Sequence, residues 1–172
     1  AIIDSGINTV DCSSCGRLFD AAAAILGVRL ESNFEGQAAM QLEAIAAPAQ
    51  DGYPFDLDDR VIDFRPAIRA LVDERANPAI AVGRFHATLA NATAAACGQA
   101  RASSGLRRVC LSGGTFQNAL LIGLTVDSLQ SLGFEVYLHA RVPANDGGLS
   151  LGQAVIAARR LRSNHVALEA RP

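Results

Sequence analysis

The stretch 108-RVCLSGGTFQNALLIGLTVDSLQSLGFEVYLHA-140 decides the class of this chain. It opens on a short apolar run, 108-RVCLS-112, and passes a glycine pair. A helix-forming segment then runs to Gly133, and a second β-rich run, 134-FEVYLHA-140, follows at once. Strand, helix and strand with turns this tight indicate α/β architecture. The spacing predicts strands at 108 and 134 that are parallel neighbours joined by a right-handed crossover. The glycine pair is expected to open the intervening helix, and 143-PANDGG-148 to lead into a last helix, 149-LSLGQAVIAARRLR-162.

Upstream lie four more helices and a hairpin. In 16-GRLFDAAAAILGV-28, Leu18, Phe19, Ala22, Ile25 and Leu26 line one helix face, with Ser13 or Ser14 as cap and Gly27 as stop. A second helix, 35-EGQAAMQLEAIAA-47, ends at Pro48. The runs 53-YPFDL-57 and 60-RVIDF-64 predict a hairpin, and Pro66 suits the first turn of a helix over 66–75. A long helix over 78–103 carries Ile80, Val82, Phe85, Leu89 and Ala96 on a core stripe. The opening, 1-AIIDSGINTV-10, lacks the basic region and long apolar core of a signal peptide. It reads as the end of a helix running into a loop, so the chain is expected to begin mid-domain.

The chain has 172 residues, 50% of them hydrophobic, enough for one packed domain or two tightly joined lobes. A formal net charge of −2 leaves neither a nucleic-acid footprint nor a polybasic membrane patch. No run of about 18 apolar residues occurs, so no spanning helix is expected. The end, 159-RRLRSNHVALEARP-172, reads as a solvated helix end and tail. Cys12, Cys15, Cys97 and Cys110 are too scattered for a disulfide scaffold. Cys97 and Cys110 are expected to pack as small apolar residues, and a reducing, cytoplasmic setting fits best.

Three loop-to-helix junctions could carry chemistry, because ligands of open α/β sheets collect where strands end and helices begin. In 112-SGGTFQN-118, Gly113 and Gly114 let backbone amides approach an anion, the following helix offers its positive end, and Asn118 lies about one turn further in. The same spacing suits a plain strand-to-helix turn. In 145-NDGG-148, Asp146 is either a metal ligand or an N-cap. Asp20, one turn into an apolar helix, either faces a cleft or sits at a helix start where the dipole favours it. His86 has no second histidine at helical spacing and reads as packed or surface, while His139 ends the strand before the second junction. The pair Cys12 and Cys15 leaves a thioredoxin-like reading open, but too little chain precedes it for the βαβ context, and no second cysteine pair completes a zinc ribbon.

Three blocks together resemble a known family: 13-SSCGRLFDAAAAILGV-28 with 34-FEGQAAMQLE-43, then 111-LSGGTFQNALL-121, then 142-VPANDGGLSLGQAVIAA-158. They are similar to the C-terminal, Kae-like part of the HypF carbamoyltransferases of nickel–iron hydrogenase maturation, related to TsaD and the O-carbamoyltransferases. The resemblance implies the second lobe of an actin/Hsp70/sugar-kinase ATPase-like (ribonuclease H-like) fold, a mixed sheet flanked by helices, over residues 1–162 with a tail at 163–172. It also implies that the whole enzyme uses carbamoyl phosphate and ATP to make carbamoyl adenylate. The carbamoyl group then passes to the C-terminal cysteine of a HypE-like acceptor.

On that resemblance Asp20 and Gly36 would face the ribose, Gly113, Gly114 and Asn118 the phosphate or sugar, and Asp146 would bind a divalent metal (zinc, iron or magnesium). The family's paired histidines lie upstream of this segment and nothing here replaces them, so no catalytic residue is assigned and the segment alone is expected to be inactive. Cys12 departs from the family pattern, and Cys15 matches it. With the first lobe absent, its apolar face would be exposed and self-association is expected. The competing readings are a non-catalytic docking module for a HypE-like partner, a fragment of an O-carbamoyltransferase, and a thiol-redox protein.

Overall fold

A computed structural model of the chain describes residues 5–7, 9–10, 12–49, 51–58 and 61–169, with side chains in the last helix as far as Arg162. Most of the expected reading of the first ten residues lies outside this set. In chain order the elements are α1 (Cys15–Ile25), α2 (Gln37–Ile45), β1 (Asp56–Leu57), β2 (Ile62–Asp63), α3 (Arg65–Asp73), α4 (Pro78–Ser104), β3 (Arg108–Cys110), a 3-10 turn (Gly114–Gln117), α5 (Ala119–Ser131), β4 (Glu135–Tyr137), a second 3-10 turn (Asp146–Gly148) and α6 (Leu149–Glu169).

The expected strand pairings are present. β1 and β2 form an antiparallel hairpin, with Asp56 opposite Asp63. β3 and β4 are parallel, with Arg108, Val109 and Cys110 opposite Glu135, Val136 and Tyr137. Among the described residues these are separate two-stranded sheets rather than one mixed sheet. The pairs are bridged by helices, so the class is α/β with small sheets.

Two apolar clusters hold the fold, and α4 contributes to both. Its 27 residues extend about 40 Å. The larger cluster joins Phe19 and Ala22 of α1, Leu42 of α2, Leu71 of α3, and Val82, Phe85 and Leu89 of α4. The smaller gathers Ala94, Leu111, Leu129 and Phe134 between α4 and the β3–α5–β4 unit. Phe116, in the first 3-10 turn, packs against both. Cys97 packs on the smaller cluster as expected, but Cys110 is exposed at the strand edge, and Ile80 is exposed rather than part of the stripe.

Glycine sets two helix ends. Gly27 (φ 69°) closes α1 in a Schellman turn, with Val28 N–H bonding Ala23 O (2.9 Å) and Gly27 N–H bonding Ala24 O (3.1 Å). Gly133 (φ 76°) does the same for α5, and its Phe134 N–H to Leu129 O bond (3.0 Å) drops Phe134 into the smaller core. Ser14 holds the N-cap position of α1 without a side-chain bond; its contribution is a backbone carbonyl that accepts from Arg17 N–H (3.1 Å).

α6 differs from every other helix. All its described side chains, from Leu149 to Arg162, are exposed, among them Leu151, Val155, Ile156 and Leu161. It packs appreciably only against the turn that precedes it. No described helix is long and apolar enough to cross a membrane.

Candidate functional site

The parallel pair β3–β4 delivers two loops to the same edge of the sheet. Gly113 follows β3 at φ 109°, ψ 154°, a conformation closed to residues with a side chain. Its amide donates to Ala144 O (2.9 Å), which ties the first loop to the second. Asn145 Nδ2 adds a bond to Gln117 Oε1 (3.3 Å). A Cβ built on Gly113 would meet nothing within 4 Å, so open space lies beside the turn. His139, at the end of β4, pairs through Nε2 with Ser112 Oγ at the end of β3 (2.8 Å), and both are exposed at this edge.

The second loop is wound too tightly for side chains. A Cβ on Gly148 would lie 2.8 Å from Pro143 O, and one on Gly147 would lie 3.1 Å from Asn145 Oδ1. Asn145 rather than Asp146 caps this turn, accepting from Gly147 N–H (3.0 Å). The Asp146 side chain is left exposed. No group of three His, Cys, Asp or Glu side chains capable of holding a metal exists among the described residues. The described residues therefore do not make a metal site by themselves.

The helix after Gly113 starts later than the sequence suggests. A 3-10 turn intervenes, and Asn118 is the N-cap of α5 rather than a residue one turn inside it. Its Oδ1 accepts from Leu121 N–H (2.8 Å), and its Nδ2 donates to His86 Nε2 (3.1 Å). Asn118 is buried, with 7% exposure, so its carboxamide points into the protein. The first two amides of α5, on Ala119 and Leu120, donate to Glu43 Oε1 at 2.7 and 3.2 Å. Ile122 N–H bonds Asn118 O (3.0 Å). The positive end of α5 is thus already occupied by a carboxylate. The amides that a 3-10 turn leaves without an internal partner are those at its head, on Gly114 and Thr115.

Asp20 and Gly36 lie on the adjoining α1–α2 pair. Asp20 forms an ion pair with Arg17 across one helical turn (2.9 Å). Gly36, at φ 78°, precedes α2, and its carbonyl accepts from Met40 N–H. No hydrogen bond or ion pair joins either residue to the Gly113 edge among the described residues, but α1 and α2 are both fastened to that loop. Glu43 reaches α5 from α2, and the Thr115 side chain hydrogen-bonds the Cys15 thiol from the loop. Burial pushes the Cys15 thiol up, with Thr115 partly opposing it. That is the reverse of what a nucleophilic thiol needs, and all four cysteines are free.

Sequence reasoning missed one further cluster. Arg84 pairs with Glu74 (3.0 Å) and Asp51 (3.3 Å) and lies over the Tyr53 ring (4.5 Å to its centroid). The Tyr53 hydroxyl donates to Glu74, and Tyr53 N–H donates to buried Thr88 Oγ1 (2.7 Å). Its partners lie far apart in sequence, so no local pattern could signal it.

Residues 1–153 match the family model described as "Carbamoyltransferase, Kae1-like Domain, second subdomain". The chain belongs to the HypF carbamoyltransferase family. It is 40% identical over 171 residues to the carbamoyltransferase HypF of Rhizobium leguminosarum bv. viciae, covering 98% of this chain and 22% of that one. It is 41% identical over 161 residues to the HypF of Rhodobacter capsulatus, covering 92% and 21%. A crystal structure of full-length HypF in the phosphate- and nucleotide-bound form superposes with TM-score 0.88 at 43% identity, covering 93% of this chain and 22% of that one. HypF of T. kodakarensis superposes with TM-score 0.85 at 28% identity, covering 94% and 22%. The chain thus spans about a fifth of these HypF proteins and is a carbamoyltransferase segment.

Proposed function

We propose that this segment is the nucleotide-binding part of a HypF-type carbamoyltransferase. It holds ATP or carbamoyl adenylate while the carbamoyl group passes to the C-terminal cysteine of a HypE-like acceptor in nickel–iron hydrogenase maturation. It does so as the second lobe of an ATPase-like fold in the cytoplasm, with carbamoyl phosphate and ATP entering through the whole enzyme. The observation that carries the reading is the Gly113 edge. Two loops are pinned together at the ends of parallel strands, beside open space, with backbone amides at the head of the 3-10 turn. Similarity to a HypF crystallised with phosphate and nucleotide supports it.

The residues divide the work by position. The amides around Gly113 and Gly114 hold the phosphate or sugar, and Asn118 serves from inside by fixing their loop. Asp20, freed from Arg17, and the backbone at Gly36 meet the ribose. Asp146 contributes one ligand to a metal whose other ligands come from elsewhere in the whole protein. Backbone donors aimed at a reacting phosphate are effective because they are already oriented when the charge develops.

Isothermal titration of ATP and a non-hydrolysable adenylate into the full-length protein tests this. Asp20→Ala is expected to weaken binding about ten-fold, the scale of a lost hydrogen bond to a charged group. Binding that survives both Asp20→Ala and Asp146→Ala unchanged would remove these assignments.

A further inference from the structure

Glu43 sits in a place that its own helix disfavours. It lies near the carboxyl end of α2, where the helix dipole opposes a negative charge. Its carboxylate reaches another helix instead and accepts the amides of Ala119 and Leu120, residues 76 and 77 positions away. These are charge-assisted bonds at the positive end of α5, where an acidic group is favoured.

His86 is equally out of place as an ordinary helix residue. It is fully buried, with Phe19 and Phe85 edge-on to its ring at centroid distances of 5.3 and 6.1 Å. Nδ1 lies 2.8 Å from Val82 O, a group that can only accept, so the ring proton is on Nδ1. Nε2 then carries the lone pair, and it receives the Asn118 amide. The other end of Asn118 accepts from Leu121 N–H, so no other orientation of the carboxamide satisfies both neighbours. Cys15 and Phe116 add anchors on the same loop.

We propose that Glu43 and His86 are positioning residues: together they lock Asn118 and the first turn of α5, and thereby hold the Gly114 and Thr115 amides in place for the phosphate or sugar of the nucleotide. This rests on the nucleotide-binding reading above. Neither residue touches the ligand. A corollary is that the anion is held by the loop and not by the end of α5, because Glu43 already occupies that end.

The test compares Glu43→Ala, Glu43→Gln and His86→Leu in the full-length protein. Amide hydrogen exchange at Ala119 and Leu120 reads the lock directly. Exchange is expected to accelerate in Glu43→Ala and to stay slow in Glu43→Gln, which keeps an acceptor oxygen. The KM for ATP is expected to rise about ten-fold in Glu43→Ala and His86→Leu with kcat little changed, as for lost uniform binding, and to recover in Glu43→Gln. Unchanged exchange in Glu43→Ala overturns the lock. Accelerated exchange with wild-type KM overturns its service to the nucleotide. If the wild-type protein binds no ATP, the reading of the site falls, and the exchange data still decide the lock. If Glu43→Ala does not fold, His86→Leu carries both measurements, with faster exchange expected at Leu121, whose amide Asn118 Oδ1 accepts, and unchanged exchange there overturning the lock.

Discussion

At the scale of single residues, His86 makes the protein acid-sensitive. Burial lowers its basicity, and the Val82 carbonyl and the Glu43 charge only partly oppose this. The unfolded chain takes up a proton near the ordinary value of 6.5, whereas the native protein resists until a lower pH. The His86 contribution to stability is therefore complete above about pH 6.5 and declines as pH falls below it. The slope cannot exceed one proton, about 1.4 kcal/mol per pH unit, and the decline ends once the native imidazole is itself protonated. Chemical unfolding measured between neutral pH and pH 5 should show this decline. His86→Leu should be less stable at neutral pH, because Asn118 loses its acceptor, and should lack the His86 part of the slope.

Helices and turns are where sequence and structure agree most, and the exceptions have physical reasons. The strand–helix–strand of β3, α5 and β4 follows from apolar runs and glycine punctuation, and α4 from its length. Asn118 was legible as a candidate but not as a cap, because GGTFQ looks helical and only the Gly113 backbone reveals a 3-10 turn. Glu43, His86 and Arg84 act on partners distant in sequence, which periodicity cannot see.

Two glycines test the element scale. Gly133→Ala should cost about 1 kcal/mol, since it forces a side chain into a left-handed turn. Gly83→Ala reverses a simple propensity argument: alanine favours helix by about 1 kcal/mol. Yet its Cβ would lie 2.0 Å from Ala47 O, where the chain after α2 crosses α4. Thermal unfolding should show Gly83→Ala as the more damaging change, by about 1–3 kcal/mol.

For the molecule as a whole, α6 stands apart from the packing. Its exposed Leu151, Val155, Ile156 and Leu161 present apolar area that nothing among the described residues covers. Ending the chain after Gly148 should leave the melting temperature of the remainder unchanged, since neither core includes an α6 residue. The same shortening should reduce any concentration-dependent association seen by sedimentation.

The division into two cores also gives the protein its own optical reporters. It has no tryptophan and two tyrosines. Tyr53 is buried in the larger core, and Tyr137 ends β4 beside the smaller one. Emission from Tyr53→Phe therefore follows the β3–β4 pair alone, and emission from Tyr137→Phe follows the four-helix side. Packing of the smaller core rests on few residues, so its curve should lead in urea, and Leu129→Ala should widen the gap between the two midpoints. Coincident midpoints in both backgrounds would mean that α4 and Phe116 weld the halves into one cooperative unit.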